Sequence, residues 1–305
     1  MQTTSNILMI RPVAFGFNEQ TAGSNAFQNK NAEQTDVQQK ALQEFDGFVQ
    51  LLRDNGVNVI TVNDTAEPHT PDSIFPNNWV SFHNDGNVYL YPMQAENRRL
   101  ERREDIIRDL QQNFTIEHIT DLSRFEVENK FLEGTGSMVL DRDNKIAYAC
   151  LSPRTDEGVL RTFCEQAGYK PVLFNAFDAS GQPIYHTNVL MAVATQYVVI
   201  CLDTITDDEQ LEAVIDAIES SGKEIINISL DQMNHFAGNM LEVQNEAGES
   251  LIVMSASAWN SLDDEQREIL SGYSKPVYAD ISTIETNGGG SARCMMAEVH
   301  LPKKN

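Results

Sequence analysis

Cysteine is scarce in this sequence: there are four, Cys150, Cys164, Cys201 and Cys294, with no CxxC pair among them. That spacing excludes a disulfide framework and a thiolate zinc site, so reduced thiols are expected. The six histidines form no HxxxH or HxH pair, and neither a metal centre nor a cofactor is expected. Positive charge is also short, with 22 Lys and Arg against 45 Asp and Glu, a net charge of −23. Such a balance repels a phosphate backbone and argues against nucleic acid as a partner. No apolar run approaches the roughly 18 residues of a membrane span. The N-terminal "MQTTSNILMIRPVAF" has neither the basic flank nor the apolar core of a signal peptide. A cytoplasmic protein without membrane contact is therefore expected. With 41% hydrophobic and 22% charged residues, the chain reads as an ordinary globular one, expected to form a single catalytic domain over 1–305.

What the sequence does contain is a repeat. "NNWVSFHNDGNVYLYPM", "GSMVLDRDNKIAYACLS", "TNVLMAVATQYVVICLD" and "GNMLEVQNEAGESLIVMS" each begin with small polar residues, continue as a strand, turn, and return as a second strand. Their anchors, Asn78, Ser137, Asn188 and Asn239, are followed by a fifth at Arg293 in "RCMMAEVHLP". Between hairpins lie a helix-like run and a short strand, as in "DDEQLEAVIDAIESSGKEIINIS". The unit is β-β-α-β. The fifth unit lacks its later elements, and the N-terminus supplies them: "NILMIRP" as a strand, "TDVQQKALQEFDGFVQLLRDNG" as an amphipathic helix and "VNVITV" as a strand. The expected fold is thus an α/β, five-bladed ββαβ propeller with pseudo-fivefold symmetry, its last blade completed by the N-terminus.

In a closed ring the five hairpin heads face a common centre, and their residues are chemically capable. The first head holds Asp72, Asn77 and Asn78, the second Glu133, the third His186 and Asn188, the fourth Asn239, and the fifth Cys294 behind three glycines. Taken singly each has a plain structural account: a turn former, a solvated strand end, a core histidine, a buried small thiol. Taken together, at matching phases of a repeat aligned without reference to them, they compose a nucleophile, a proton-transfer group, a group to orient it and polar substrate contacts. His235 precedes a head and is a secondary candidate for lining the same pocket. Cys150, Cys164 and Cys201 read as packing residues.

The motifs "FLEGTGS", "YHTN" and "NGGGSARCMM" resemble those of the guanidino-group-modifying, or pentein, superfamily, which includes arginine and agmatine deiminases, dimethylarginine hydrolases and glycine amidinotransferase. "RPVAFGFNEQTAGSNAFQ" and "PDSIFPNNWVSFH" are similar to its amidinotransferase-like, or citrulline-utilisation hydrolase, branch. The resemblance implies that Cys294 attacks the central carbon of a guanidino or ureido group, that His186 protonates the leaving nitrogen and then activates water, and that Glu133 orients the imidazole. It also implies small amino-acid substrates of the citrulline or arginine type, contacted by Asp72, Asn77, Asn78, Asn188 and Asn239. One feature departs from the family: His186-Thr187-Asn188 stands where deiminases commonly have His-x-Asp. Asn offers both a donor and an acceptor, which suits a neutral ureido group better than a guanidinium. Citrulline is therefore ranked ahead of arginine. The rival readings are an amidinotransferase, in which an amine replaces water, and a non-catalytic binding protein of the same fold. Homo-oligomerisation stays open at this level.

Overall fold

The computed structural model describes residues 1–29 and 35–304. It contains five three-stranded sheets. In each, the first strand runs antiparallel to the second and the second parallel to the third. Blade one is Val80–Phe82, Asn87–Leu90 and His118–Asp121; blade two is Val139–Asp141, Ile146–Cys150 and Lys170–Phe174. Blade three is Met191–Val193, Tyr197–Ile200 and Glu224–Asn227, and blade four is Leu241–Gln244, Ser250–Ser255 and Lys275–Ala279. Blade five joins Ala297–Glu298 from the C-terminal end to Asn6–Arg11 and Asn58–Asn63 from the N-terminal end, in the register Ile7 opposite Glu298. First strands of neighbouring blades touch: two with three, three with four, and five with one. They therefore sit innermost, and the expected ring of five blades is present.

Outer helices cover the sheets because each carries an apolar stripe. Helix Val37–Asp54 buries Ala41, Phe45, Phe48, Val49 and Leu52 on one face. In helix Asp208–Ser220 the buried Val214 and Ile218 pack in one cluster with Val198 and Ile200 of blade three. Its start is capped by the Asp207 side chain, which accepts from the Gln210 N–H. One helix departs from the sequence expectation. The run after blade one's second strand breaks into Glu96–Arg99 and Glu104–Leu110, because Arg98 and Glu101 turn inward and pair there instead of lying on a solvated face.

A second difference bears on the site. Four hairpin heads, read in the sequence only as small polar residues leading into a strand, form a short helical turn: Pro76–Asn78, Gly134–Ser137, Thr187–Leu190 and Ala292–Met295. The fourth blade's head is a turn ending at Asn239, whose N–H donates to the Phe236 carbonyl. These turns gather polar side chains at one end of the innermost strands. Cys294 consequently lies in a helical turn, and the strand after it is only Ala297–Glu298.

Candidate active site

Cys294 is 3% exposed and lines a narrow cavity of about 10 Å³ together with His186, Asp72, Asn78, Arg98 and Arg154. Its thiol is held by two amides from other blades. Asn239 Nδ2 lies 3.3 Å from Sγ and Asn188 Nδ2 lies 3.5 Å from it. Asn239 also donates to the Asn188 carbonyl at 2.8 Å and accepts from the Arg293 N–H, so heads three, four and five are tied around the sulfur.

The glycines before Cys294 answer a packing need. Gly289 ends helix Ser282–Gly288 with φ +65, a left-handed conformation that favours glycine. A side chain on Gly288 or Gly290 would run into the Phe75 ring, at 2.8 and 2.9 Å. Phe75 belongs to the cavity wall, as does Asn25, which donates to the Gly288 and Gly289 carbonyls. Tyr185 closes the same wall, its hydroxyl donating to the Gly289 carbonyl at 2.6 Å.

His186 Nε2 lies 2.8 Å from Glu133 Oε2. Because an ionised carboxylate only accepts, Nε2 carries the proton and Nδ1 keeps its lone pair, a tautomer assigned from the network. Glu133 is buried. Its Oε1 accepts from the Gln94 N–H at 3.0 Å, and Arg154 lies 3.5 Å from Oε2. Burial alone would raise this carboxyl, but Arg154, the His186 hydrogen bond and Arg98 outweigh it and hold the group far below the usual carboxylate range. Burial also dominates at His186 and pulls its imidazole down to about 4 despite Glu133. The resting imidazole is therefore neutral near pH 7.

Asp72 is buried too, raised above the ordinary value by desolvation against the pull of Arg98. Its Oδ2 accepts from Asn18 and Thr21, while Oδ1 has no protein partner. Asn78 Oδ1 accepts from Arg98 at 2.8 Å, which turns its Nδ2 away, and that Nδ2 is likewise unpartnered.

Asp72, Asn78, His186 and Cys294 thus share the cavity wall. Glu133 stands behind His186, and Asn188 and Asn239 stand behind the sulfur, so these touch the reacting groups and not the cavity itself. Asn77 is fully buried outside the wall; its carbonyl accepts from Thr135, and its amide atoms have no partner. His235 is exposed and bonded to the Asp231 carbonyl, away from the cavity. Cys150, Cys164 and Cys201 are buried among packing residues. Among the described residues no group of three side chains could hold a metal ion, and no helix is long and apolar enough to cross a membrane.

Sequence reasoning missed the two arginines. Arg98 and Arg154 are each only 2% exposed, yet in sequence they look like members of solvated charge runs. It also missed the loop from Asn18 to Gln28. There Thr21 and Ser24 bind Arg154, Asn25 binds the glycine run, and Gln28 binds the Asn287 carbonyl just before it.

Gly136 marks the tightest point. A Cβ there would come within 2.8 Å of His186 Nδ1 and 2.3 Å of Asn78 Nδ2, so only glycine lets both side chains stand where they do. Gly136→Ala is expected to cost about 1–3 kcal/mol of stability by overpacking and, in the protein that still folds, to lower kcat about 100-fold by displacing the imidazole. An unchanged kcat would mean that His186 need not occupy this position.

Among solved structures, apo ArgZ, an arginine dihydrolase from the ornithine-ammonia cycle in cyanobacteria, superposes with a TM-score of 0.76 at 17% identity, covering 97% of this chain and 41% of that one. The N-terminal domain of ArgZ, covalently bound to a reaction intermediate, gives 0.75 at 18% identity and covers 97% of this chain and 98% of that one. A dimethylarginine dimethylaminohydrolase variant in adduct with S-methyl-L-thiocitrulline gives 0.65 at 15% identity, with 97% and 99% covered. The chain thus spans less than half of full-length ArgZ and corresponds to its N-terminal domain. At these identities the likeness is one of fold. No protein of curated function matches the sequence. Matched over residues 11–301, this propeller belongs to the family described as N,N dimethylarginine dimethylhydrolase, eukaryotic, within the pentein superfamily of enzymes that modify guanidino and ureido amino acids.

Proposed function

We propose that this protein hydrolyses a C–N bond of a ureido amino acid of the citrulline type through a covalent Cys294 intermediate, with residues 1–305 acting as one catalytic domain. The observation that carries the choice of substrate is the pair of unpartnered buried atoms on the cavity wall, Asp72 Oδ1 and Asn78 Nδ2. One accepts and the other donates. A ureido group, with N–H donors and a carbonyl acceptor, satisfies both. A guanidinium has donors only, would leave the Asn78 N–H unsatisfied, and would find a single free carboxylate oxygen, since Glu101 is committed to Arg98 and Glu133 to His186 and Gln94. Leaving a buried donor unpaired costs about 1–3 kcal/mol.

The neutral imidazole sets the proton order. His186 takes the thiol proton, and the sulfur attacks the ureido carbon. The C–N bond breaks as His186 returns the proton to the departing nitrogen. Water then attacks the S-carbamoyl carbon, giving its proton to His186, and the S–C bond breaks as His186 passes that proton to the sulfur, restoring the Cys294 thiol and the neutral imidazole. Glu133 keeps Nδ1 free to carry the proton and stabilises the imidazolium at each transfer.

The test is a panel of L-citrulline, L-arginine, NG,NG-dimethylarginine and agmatine, assayed for ammonia, ornithine and dimethylamine with and without glycine. Citrulline is expected to exceed arginine in kcat/KM at least tenfold, without dependence on glycine. Preference for a guanidino substrate would overturn the ureido assignment. Turnover that requires glycine would identify an amidinotransferase.

A further inference from the structure

The glycine run in front of Cys294 sets two demands against each other. Packing against Phe75 and the left-handed turn at Gly289 require glycine, yet glycine gives the chain its widest freedom, and a nucleophile must be held in place. The segment therefore needs a clamp that does not come from its own side chains.

Glu285, in the last turn before the glycines, has the contacts of one. Its carbonyl accepts from the Gly289 N–H at 2.8 Å, and its Oε1 accepts from the Ser291 hydroxyl at 2.6 Å. The Ser291 carbonyl in turn accepts from the Cys294 N–H at 3.0 Å. One residue thus closes the glycines into a loop and stands two hydrogen bonds from the backbone of the nucleophile. The helix that carries it, Ser282–Gly288, is fixed at its start by Glu44, whose carboxylate accepts from the Thr283 and Ile284 N–H groups.

Stability alone does not account for an acid at this position. Glu285 is 6% exposed. Burial, with the negative charges of Glu44 and Asp280 added, raises it to about 7 against the pull of the Ser291 and Ser255 hydroxyls. Among the described residues no Lys or Arg pairs with it, and an uncompensated buried carboxylate destabilises a fold.

We propose that Glu285 is a positioning residue for the thiol: by holding Ser291 it fixes the turn Ala292–Met295 so that Cys294 meets the Asn188 and Asn239 amides. This rests on the reading of Cys294 as the nucleophile.

The test combines steady-state kinetics, on whichever substrate the wild type turns over, with the rate at which iodoacetamide alkylates each cysteine, followed by mass spectrometry. Glu285→Ala is expected to lower kcat about tenfold with KM within about twofold of wild type. It should also slow alkylation of Cys294 at least about threefold, because a sulfur displaced from two N–H donors loses support for its thiolate. The buried Cys150, Cys164 and Cys201 should stay unreacted. Glu285→Gln keeps an acceptor for Ser291 and should recover most of kcat. Ser291→Ala removes the same bond from its other end, so the double variant should lose no more than the larger single loss. Unchanged kcat and Cys294 alkylation in folded Glu285→Ala and Ser291→Ala would overturn the inference while leaving the nucleophile in place. Alkylation of all four cysteines in both variants would overturn it as well, in favour of general loosening. Wild-type turnover that survives Cys294→Ala would remove the nucleophile and this inference together.

Discussion

Replacing Cys294 with alanine is expected to lower kcat/KM by at least about 10³-fold while the melting temperature moves by only a few degrees. The loss is large because Cys294 supplies the one thiol among the residues of the cavity wall, and the weaker groups there are engaged elsewhere, the Tyr185 hydroxyl on the Gly289 carbonyl and His186 in proton transfer. The fold survives because only a sulfur is removed: the Asn239 amide keeps the Asn188 backbone carbonyl and the Arg293 N–H, and the one amide that loses its only bond is that of Asn188, to the thiol. Cys201→Ala is the control. That thiol, pushed up to about 11 by burial, is fully enclosed in blade three's cluster and should leave kcat alone. Activity retained in Cys294→Ala, measured on whichever substrate the wild type turns over, would remove the covalent mechanism.

Arg98→Met should be the most damaging change to stability. Arg98 grips Glu101 through two 2.9 Å bonds, holds Asn78 at 2.8 Å and stands 3.7 Å from Asp72. Without it two carboxylates remain buried with no cation in contact, a loss of about 3–5 kcal/mol in comparable cases. The pH dependence identifies the cause. Burial already raises Glu101 to about 7 even with Arg98 in place, and removing the guanidinium raises it further. A carboxyl whose folded value lies above its unfolded one loses stability as pH climbs from the unfolded value toward the folded one. The gap between wild type and variant, measured by urea denaturation, should therefore be widest near pH 8 and shrink toward pH 5, and Glu101→Gln in the same chain should recover part of it. A gap equal at both pH values would mean that the loss is one of packing, not of charge.

The repeat was legible because strand alternation and small polar anchors recur with a nearly constant period, and a hairpin's local pattern needs no tertiary information. The completion of blade five from both termini was legible for the same reason: the elements missing after Arg293 are those found before Asn63. The helical turns at the heads were not. Gly134–Ser137 and Thr187–Leu190 are too short to show a helical period, and they form because neighbouring heads bond across blades, as Thr187 Oγ1 does to the Ser137 carbonyl. Arg98 was hidden for a related reason. In "ENRRLERRED" four arginines look alike, and only the inward turn of the chain sends one of them to the centre. Asn188 was expected at the substrate. It lies against the thiol, and the amide with an unpartnered donor on the cavity wall is that of Asn78, whose orientation depends on that same unseen arginine.

The join in blade five carries a consequence for the order of folding. Four blades pair strands drawn from within about 50 residues of chain, but the fifth depends on contacts such as Thr4 Oγ1 with the Val299 carbonyl, 295 positions away. Chain closure over that span carries the largest entropic cost in the molecule, so ring completion is the late, slow event while local hairpins form early. Cys294 sits on the segment delivered by that step. A molecule with four finished blades would have nearly all of its secondary structure and none of its nucleophile in position, so recovery of turnover after denaturation is a clock for closure of the ring.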